Sequence, residues 1–418
     1  MLLRVLIIGC VWPEPNSSAA GRRMLSLLTA LQASGGEIYF VSAAAKGEHS
    51  VDLAATGVHV QGIVLNCDSF DTFVAELRPD VVVFDRFLTE EQFGWRVERS
   101  YPAAVRILDS EDLHCLRHAR HQALKQGRKL SLQDLYGEMA LREIAAIWRC
   151  DLTLVISEFE MALLQDTYGV PGDLLYYLPL LTDFSADHTR AWRDFESREH
   201  CVVVGNFRHA PNWDAVQYLR SELWPLIRHM LPKVECHVYG AYPPPKALQL
   251  HSDKLGFLVK GWASDADAVV GQARLSLAPL RFGAGQKGKL LAAMECGTPS
   301  VTTEIGAEGM CGEMPWSGHI VAESPEFSAD FAAATVALYQ DAERWAVAQQ
   351  RGTELLLQRF QASDYLPGFS QCVTALAKDV TAHRLKHFNG LMLRHHTVKS
   401  HQYMSQWIAA KNRLPKGE

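Results

Sequence analysis

PLRFGAGQKGKLLAAMECGTPSVTTEIGAEG, residues 279–309, decides how this chain is read. An apolar run from Leu275 to Pro279 predicts a strand that leads into a turn built on Gly283, Gly285 and Gly288. The turn opens an apolar helix, Leu290 to Cys296, which stops at Gly297 and Pro299; a second strand follows from Ser300 to Thr303. Glycine lets a backbone approach a ligand closely, and the N–H groups that head a helix attract an anion. Lys287 and Lys289 add positive charge at that point. The arrangement predicts a phosphate or diphosphate site. It has neither the G-K-[ST] of a P-loop nor the G-x-G-x-x-G spacing of a dinucleotide fold, and taken alone it is equally an ordinary α/β loop.

Working outward, residues 1–182 alternate strand-like and helix-like segments. Val5–Ile8, Glu37–Ser42, Val58–Val64, Val81–Phe84, Ala104–Leu108 and Leu152–Ile156 read as strands. Arg22–Gln32, Phe70–Leu77 and a long stretch from Leu130 to Cys150 read as helices. Alternation of this kind predicts a parallel, doubly wound sheet. Residues 183–199 are polar and charged and read as a linker. The alternation restarts at Cys201 and continues to residue 380, so a second domain of the same class is expected over 200–380. Ligands of such sheets bind beyond the carboxyl ends of the strands, which places a site in the cleft between the domains.

At 418 residues the chain has room for two domains, and 48% hydrophobic with 21% charged residues is a globular composition. A net charge of −6 offers no global field for nucleic acid. Nine scattered cysteines without a C-x-x-C pair argue for reduced thiols in a cytoplasmic compartment, and against structural zinc. The apolar start, MLLRVLIIGCVW, is shorter than a signal peptide and reads as a buried first strand. From residue 381 a tail carries Arg384, Lys386, Arg394, Lys399, Lys411, Arg413 and Lys416 against Glu418, with Phe388, Met392, Met404 and Trp407 interleaved. It is read either as a helix packed back on the domains or as a surface for peripheral contact with the inner face of a membrane.

The stretch around residues 279–309 resembles the C-terminal signature of GT-B glycosyltransferases, in particular the retaining family 4 (group 1), through Leu291, Ala293, Met294, Cys296, Gly297 and Pro299. The resemblance implies two Rossmann-like domains facing across a cleft. It implies transfer of a sugar, of hexosyl type and with retention, from a nucleotide-diphosphate donor to an acceptor hydroxyl. The settings it suggests are surface polysaccharide, glycolipid or protein glycosylation, with a carbohydrate, lipid-linked or protein acceptor. No cofactor beyond the donor substrate, no metal and no nucleic-acid partner is expected.

The resemblance also suggests site residues. Gly21 and Arg22, in the loop after the first strand, would lie over the donor, although Asn16 or Ser18 there also suits a helix cap. His114, with Asp112 as its orienter, would face the donor sugar; Arg117 pairing with Asp112 is the structural alternative. Asp85 and Arg86 are weaker candidates for the acceptor. Gly205 and Arg208 open the second domain's first helix, and Arg208 with Lys287, aided by amides near Gly285 and Gly288, would clamp the diphosphate. Asp265 and Asp267 read as helix caps. The family's E-x7-E pair falls on Ala284 and Ala292, so Glu295, or Glu304 and Glu308, would have to supply ribose or sugar contacts. That loss keeps two alternatives open: a non-catalytic GT-B scaffold, and a nucleotide-sugar epimerase.

Overall fold

A computed structural model describes residues 3–413, with the backbone alone for 396–399. Lys416, Glu418 and the side chains of His396 and Lys399 therefore lie outside the described residues. Seven parallel strands form the first sheet: β1 (Arg4–Gly9), β2 (Glu37–Ser42), β3 (His59–Gly62), β4 (Val81–Asp85), β5 (Val105–Asp109), β6 (Leu152–Val155) and β7 (Leu175–Tyr177). Their order is β3-β2-β1-β4-β5-β6-β7, so the winding reverses between β1 and β4. The second sheet holds β8 (Cys201–Val204), β9 (Cys236–Tyr239), β10 (Phe257–Gly261), β11 (Leu275–Ala278), β12 (Ser300–Thr303) and β13 (Gly318–Val321). Its order, β10-β9-β8-β11-β12-β13, repeats the same plan.

The inner strands form on largely apolar, buried runs. Val81–Asp85, Val105–Asp109 and Leu275–Ala278 are buried at every position. A parallel sheet covered on both faces requires this, because both sides of each strand leave water. The apolar start of the chain is central strand β1, with Val5 in register with Ile38 on one side and Val81 on the other. Burial of each such aliphatic side chain contributes about 1.5–3 kcal/mol.

Three local readings change. The stretch from Leu130 to Cys150 is a 3-10 turn, Leu132–Tyr136, followed by a helix, Glu138–Arg149. Ser131 and Asp134 close a capping box round the turn, and Gly137 is extended between the two pieces. Two helices that the sequence did not mark, Arg86–Ser100 and His114–Lys125, begin at or near the ends of β4 and β5. The domain crossing also moves. Gln361 pairs with Thr182 in a parallel bridge, and the helix Ala362–Lys378 then lies on the first domain, with Phe369 and Val373 in the same cluster as Met24, Leu28 and Leu178. The boundary expected at 380 thus falls near 361, because the apolar face of this helix completes the first sheet's core.

The tail helices Val380–Leu385 and Phe388–Arg413 continue along the first domain. Their anchor is Asp151, fully buried, which accepts from Arg384 and Arg394 at 2.7 Å each. Burial pushes this carboxyl up, but the two guanidiniums outweigh it and hold it at about 2. The inner face of the tail is therefore packed, as one of its two readings required. Its outer face leaves Phe388, Tyr403 and Trp407 exposed. Among the described residues no helix is long and apolar enough to cross a membrane.

Candidate functional site

The carboxyl ends of the two sheets face each other across a cavity of about 600 Å³, lined from both domains. On the first-domain side, β1 runs into a loop that folds back over the helix Ala19–Ala33. Ser18 caps that helix by accepting from the Gly21 amide at 3.0 Å. Gly21 sits under the loop: a Cβ there would come within 2.4 Å of the Glu14 backbone. It shapes the loop and does not line the cavity. Arg22 does line it, and reaches across to Asp267 on the second domain at 2.9 Å.

The floor of the same side is built by the ends of β4 and β5. Arg86 and Glu111 adopt left-handed backbone there, with φ of 69° and 62°. For residues with a Cβ this costs roughly 1–2 kcal/mol each, and such strain gathers at functional sites. Glu111 is buried close to Asp109 and Asp85; burial first, then those two charges, push its carboxyl up to about 8. At neutral pH it is a protonated acid facing the cleft. Next to it, Asp112 forms an ion pair with Arg117 at 2.9 Å and lies 3.6 Å from His114 Nε2. Burial would raise Asp112, but Arg117, His114 and His209 outweigh it, so the carboxylate stays ionised. Burial lowers His114 to about 4, which makes it a neutral imidazole at pH 7. Asp112 thus pairs with Arg117 and also lies beside His114.

On the second-domain side, Gly205 follows β8, and a Cβ there would press on Asn212 at 2.7 Å. Asn212 bonds the Asn206 carbonyl and accepts from Lys289 Nζ at 2.6 Å. Arg208 lines the cavity with its guanidinium 3.6 Å from the centre of the Tyr242 ring, and among the described residues no carboxylate pairs with it. The helix Gly288–Glu295 points its start at the cavity. Leu290 and Leu291 bond back to the Lys287 carbonyl, which leaves the Gly288 and Lys289 amides at its head. Burial lowers Lys289 to about 7. Lys287 is lowered to about 8, by burial against the pull of Glu308 and Glu160.

Several residues stand elsewhere than the sequence suggested. Lys287 Nζ turns back onto the carbonyls of Ala284 and Gly285. Gly285 is where the domains touch: a Cβ would meet Asp112 Cβ and Ile156 at 2.8 Å, and its N–H is taken by Glu160 at 2.9 Å. Gly288 makes a second such contact, with its would-be Cβ 2.4 Å from Ala19 Cβ. Close approach does explain these glycines, but the partner is the other domain. Glu308 is held bidentately by Arg120 of the first domain at 2.8 and 2.7 Å, and Glu295 bonds Thr182 at 2.5 Å; neither lines the cavity. Ala284 and Ala292 do line it. Asp265 caps its helix through the Ala268 amide, whereas Asp267 goes beyond a cap and enters the cavity wall with Trp262. Sequence reasoning missed Asp267, Tyr242 and His209 as cavity residues; a position just past a strand's carboxyl end was the available signal.

The family model for Glycosyl transferases group 1 matches residues 198–341. No curated protein matches the chain. Among solved structures, Anabaena HepE in complex with UDP and glucose is similar at 13% identity, with 90% of this chain and 100% of that chain covered and a TM-score of 0.66. Sucrose-phosphate synthase from Thermosynechococcus elongatus is similar at 15% identity, covering 90% and 99% at a TM-score of 0.66. TarM is similar at 9% identity, covering 89% and 99% at 0.68. These likenesses establish the GT-B fold. The second domain in addition carries the Glycosyl transferases group 1 signature over residues 198–341.

Proposed function

We propose that the chain transfers a sugar from a nucleoside-diphosphate donor to an acceptor hydroxyl, with retention at the sugar carbon, in surface polysaccharide, glycolipid or protein glycosylation. The observation that carries this reading is the division of charge across the cleft. Arg208, Lys289 and two helix-head amides face it from the second domain, while neutral His114, ionised Asp112 and protonated Glu111 face it from the first. The cations and amides suit the diphosphate, whose charge grows as the bond to the sugar carbon breaks. The acceptor oxygen bonds to that carbon, and its proton leaves with the diphosphate. A neutral imidazole and a protonated carboxyl can donate hydrogen bonds to sugar hydroxyls without adding charge. Interdomain contacts through Arg22, Arg120 and Glu160 exclude water from the cleft when it closes, which limits hydrolysis. HepE, with UDP and glucose bound, makes a uridine donor the first to try.

The test is turnover of a panel of nucleotide sugars with and without added saccharide or lipid-linked acceptors. Release of nucleoside diphosphate that depends on an acceptor supports transfer. Conversion of the donor to its epimer without an acceptor, or no turnover despite nucleotide binding, refutes it in favour of an epimerase or a scaffold.

A further inference from the structure

Away from the cleft, the joint between the two tail helices carries an unexplained cluster. His383 lies near the end of the helix Val380–Leu385, and His387 stands four residues on, just before the helix Phe388–Arg413 begins. Both face Asp173, in the 3-10 turn Gly172–Leu174 that leads into β7. One ligand atom from each of the three lies within 4.8 Å of the others. None of them lines the cleft cavity.

The details suit a metal better than a simple ion pair. His383 Nε2 stands 2.9 Å from the Asp151 carbonyl, which can only accept. In the neutral ring that fixes the proton on Nε2 and leaves the Nδ1 lone pair bare, the arrangement by which metal-binding histidines are oriented from behind. His387 Nε2 lies 3.2 Å from Asp173 Oδ2. A charge-assisted pair usually closes to about 2.7–2.9 Å. With metal–ligand bonds of about 2.1 Å, the edge of a tetrahedron is about 3.4 Å, close to this His387–Asp173 spacing. Among the described residues no lysine or arginine pairs with Asp173, while Arg384 and Arg394 of the same tail are both taken by Asp151.

We propose that Asp173, His383 and His387 form a divalent transition-metal site, with zinc the ion its ligands fit, that fastens the C-terminal tail to the first domain. Two imidazoles and one carboxylate fill three tetrahedral positions, and water fills the fourth. The site bridges an element of the first domain to the tail, so bound metal favours the docked tail. This rests on the packing of the tail alone and is independent of the proposed transfer reaction.

Cobalt, a spectroscopic stand-in for zinc, gives the test. Titrating Co2+ into the metal-stripped chain should produce the visible bands of a four-coordinate ion at one equivalent, and zinc should displace them. His387→Ala and Asp173→Asn should weaken binding at least tenfold. His229→Ala, in the second domain, should bind as the natural sequence does. Zinc should also slow proteolytic release of the tail in the natural sequence but not in His387→Ala. Absence of the bands, or bands unchanged when His383 and His387 are both replaced by alanine, would overturn the site. Binding without slower release would overturn the fastening.

Discussion

Replacing Gly288 by alanine isolates the contact on which closure depends. Its backbone lies outside the left-handed region, so alanine fits the conformation and slightly favours the helix. The added Cβ, however, would lie 2.4 Å from Ala19 Cβ on the opposite domain. Carbon atoms rest at about 3.5–4.0 Å, so the domains must separate by about 1–1.5 Å at this point. They can do so by opening, without unfolding. Thermal stability should therefore stay within a few degrees of the natural sequence. Nucleoside diphosphate affinity should change little, because Arg208 and the amides that would hold it are on one domain. The transfer step needs both domains, and a misplacement of about 1 Å costs up to about a hundredfold in rate. Steady-state assays with the donor identified in a binding screen should show kcat reduced by about ten- to a hundredfold. A kcat within twofold of the natural sequence would refute the claim that the domains must meet at Gly288 for catalysis.

Other predictions follow from the charges. Arg208→Ala should weaken nucleoside diphosphate binding by about ten- to a hundredfold, the value of a charged hydrogen bond, with Arg208→Lys recovering only part by calorimetry. Lys287 and Lys289 sit near 8 and 7, and a bound diphosphate would raise both. Binding at pH 8 should therefore take up about one proton and binding at pH 6 almost none, measured as heats in buffers of different ionisation enthalpy. Equal heats in all buffers at pH 8 would contradict this. Asp151, held at about 2 when folded, adds roughly 2 kcal/mol of stability above pH 4, which is lost as pH falls through 2. Asp151→Asn leaves Arg384 and Arg394 without their partner and should cost about 3 kcal/mol in denaturant unfolding, with the tail released first.

The sheets were legible because most inner strands are short, largely apolar runs, which their length and flanking turns separate from helices. The helices Arg86–Ser100 and His114–Lys125 were not. Each starts at or close behind the strand before it, and its first residues belong to the cleft, so local pattern yields there to the site. The edge strands β7, of three residues, and β13, which opens on Gly318 and His319, were not marked. At the site, residue types were readable but directions were not. Lys287 and Lys289 were found by charge, yet only Lys289 reaches across, to Asn212 at the head of another helix, while Lys287 folds onto its own loop. Gly285 and Gly288 were read as ligand contacts because their true neighbours, Asp112 and Ala19, lie far back in the sequence. Glu295 and Glu308 were candidates by composition, but Thr182 and Arg120 of the first domain claim them. Long-range pairing of this kind leaves no local signal.

The most direct measurement of the central claim is a thermal-shift panel with UDP, GDP, ADP, dTDP and CMP, run on the natural sequence and on Arg208→Ala. A ligand at a hundred times its dissociation constant stabilises the fold by about 2.7 kcal/mol, a readily seen shift. The account predicts that one nucleoside diphosphate stabilises the natural sequence and that the shift falls sharply in Arg208→Ala. No response to any nucleotide, or a response undiminished in Arg208→Ala, would contradict a diphosphate site in this cleft.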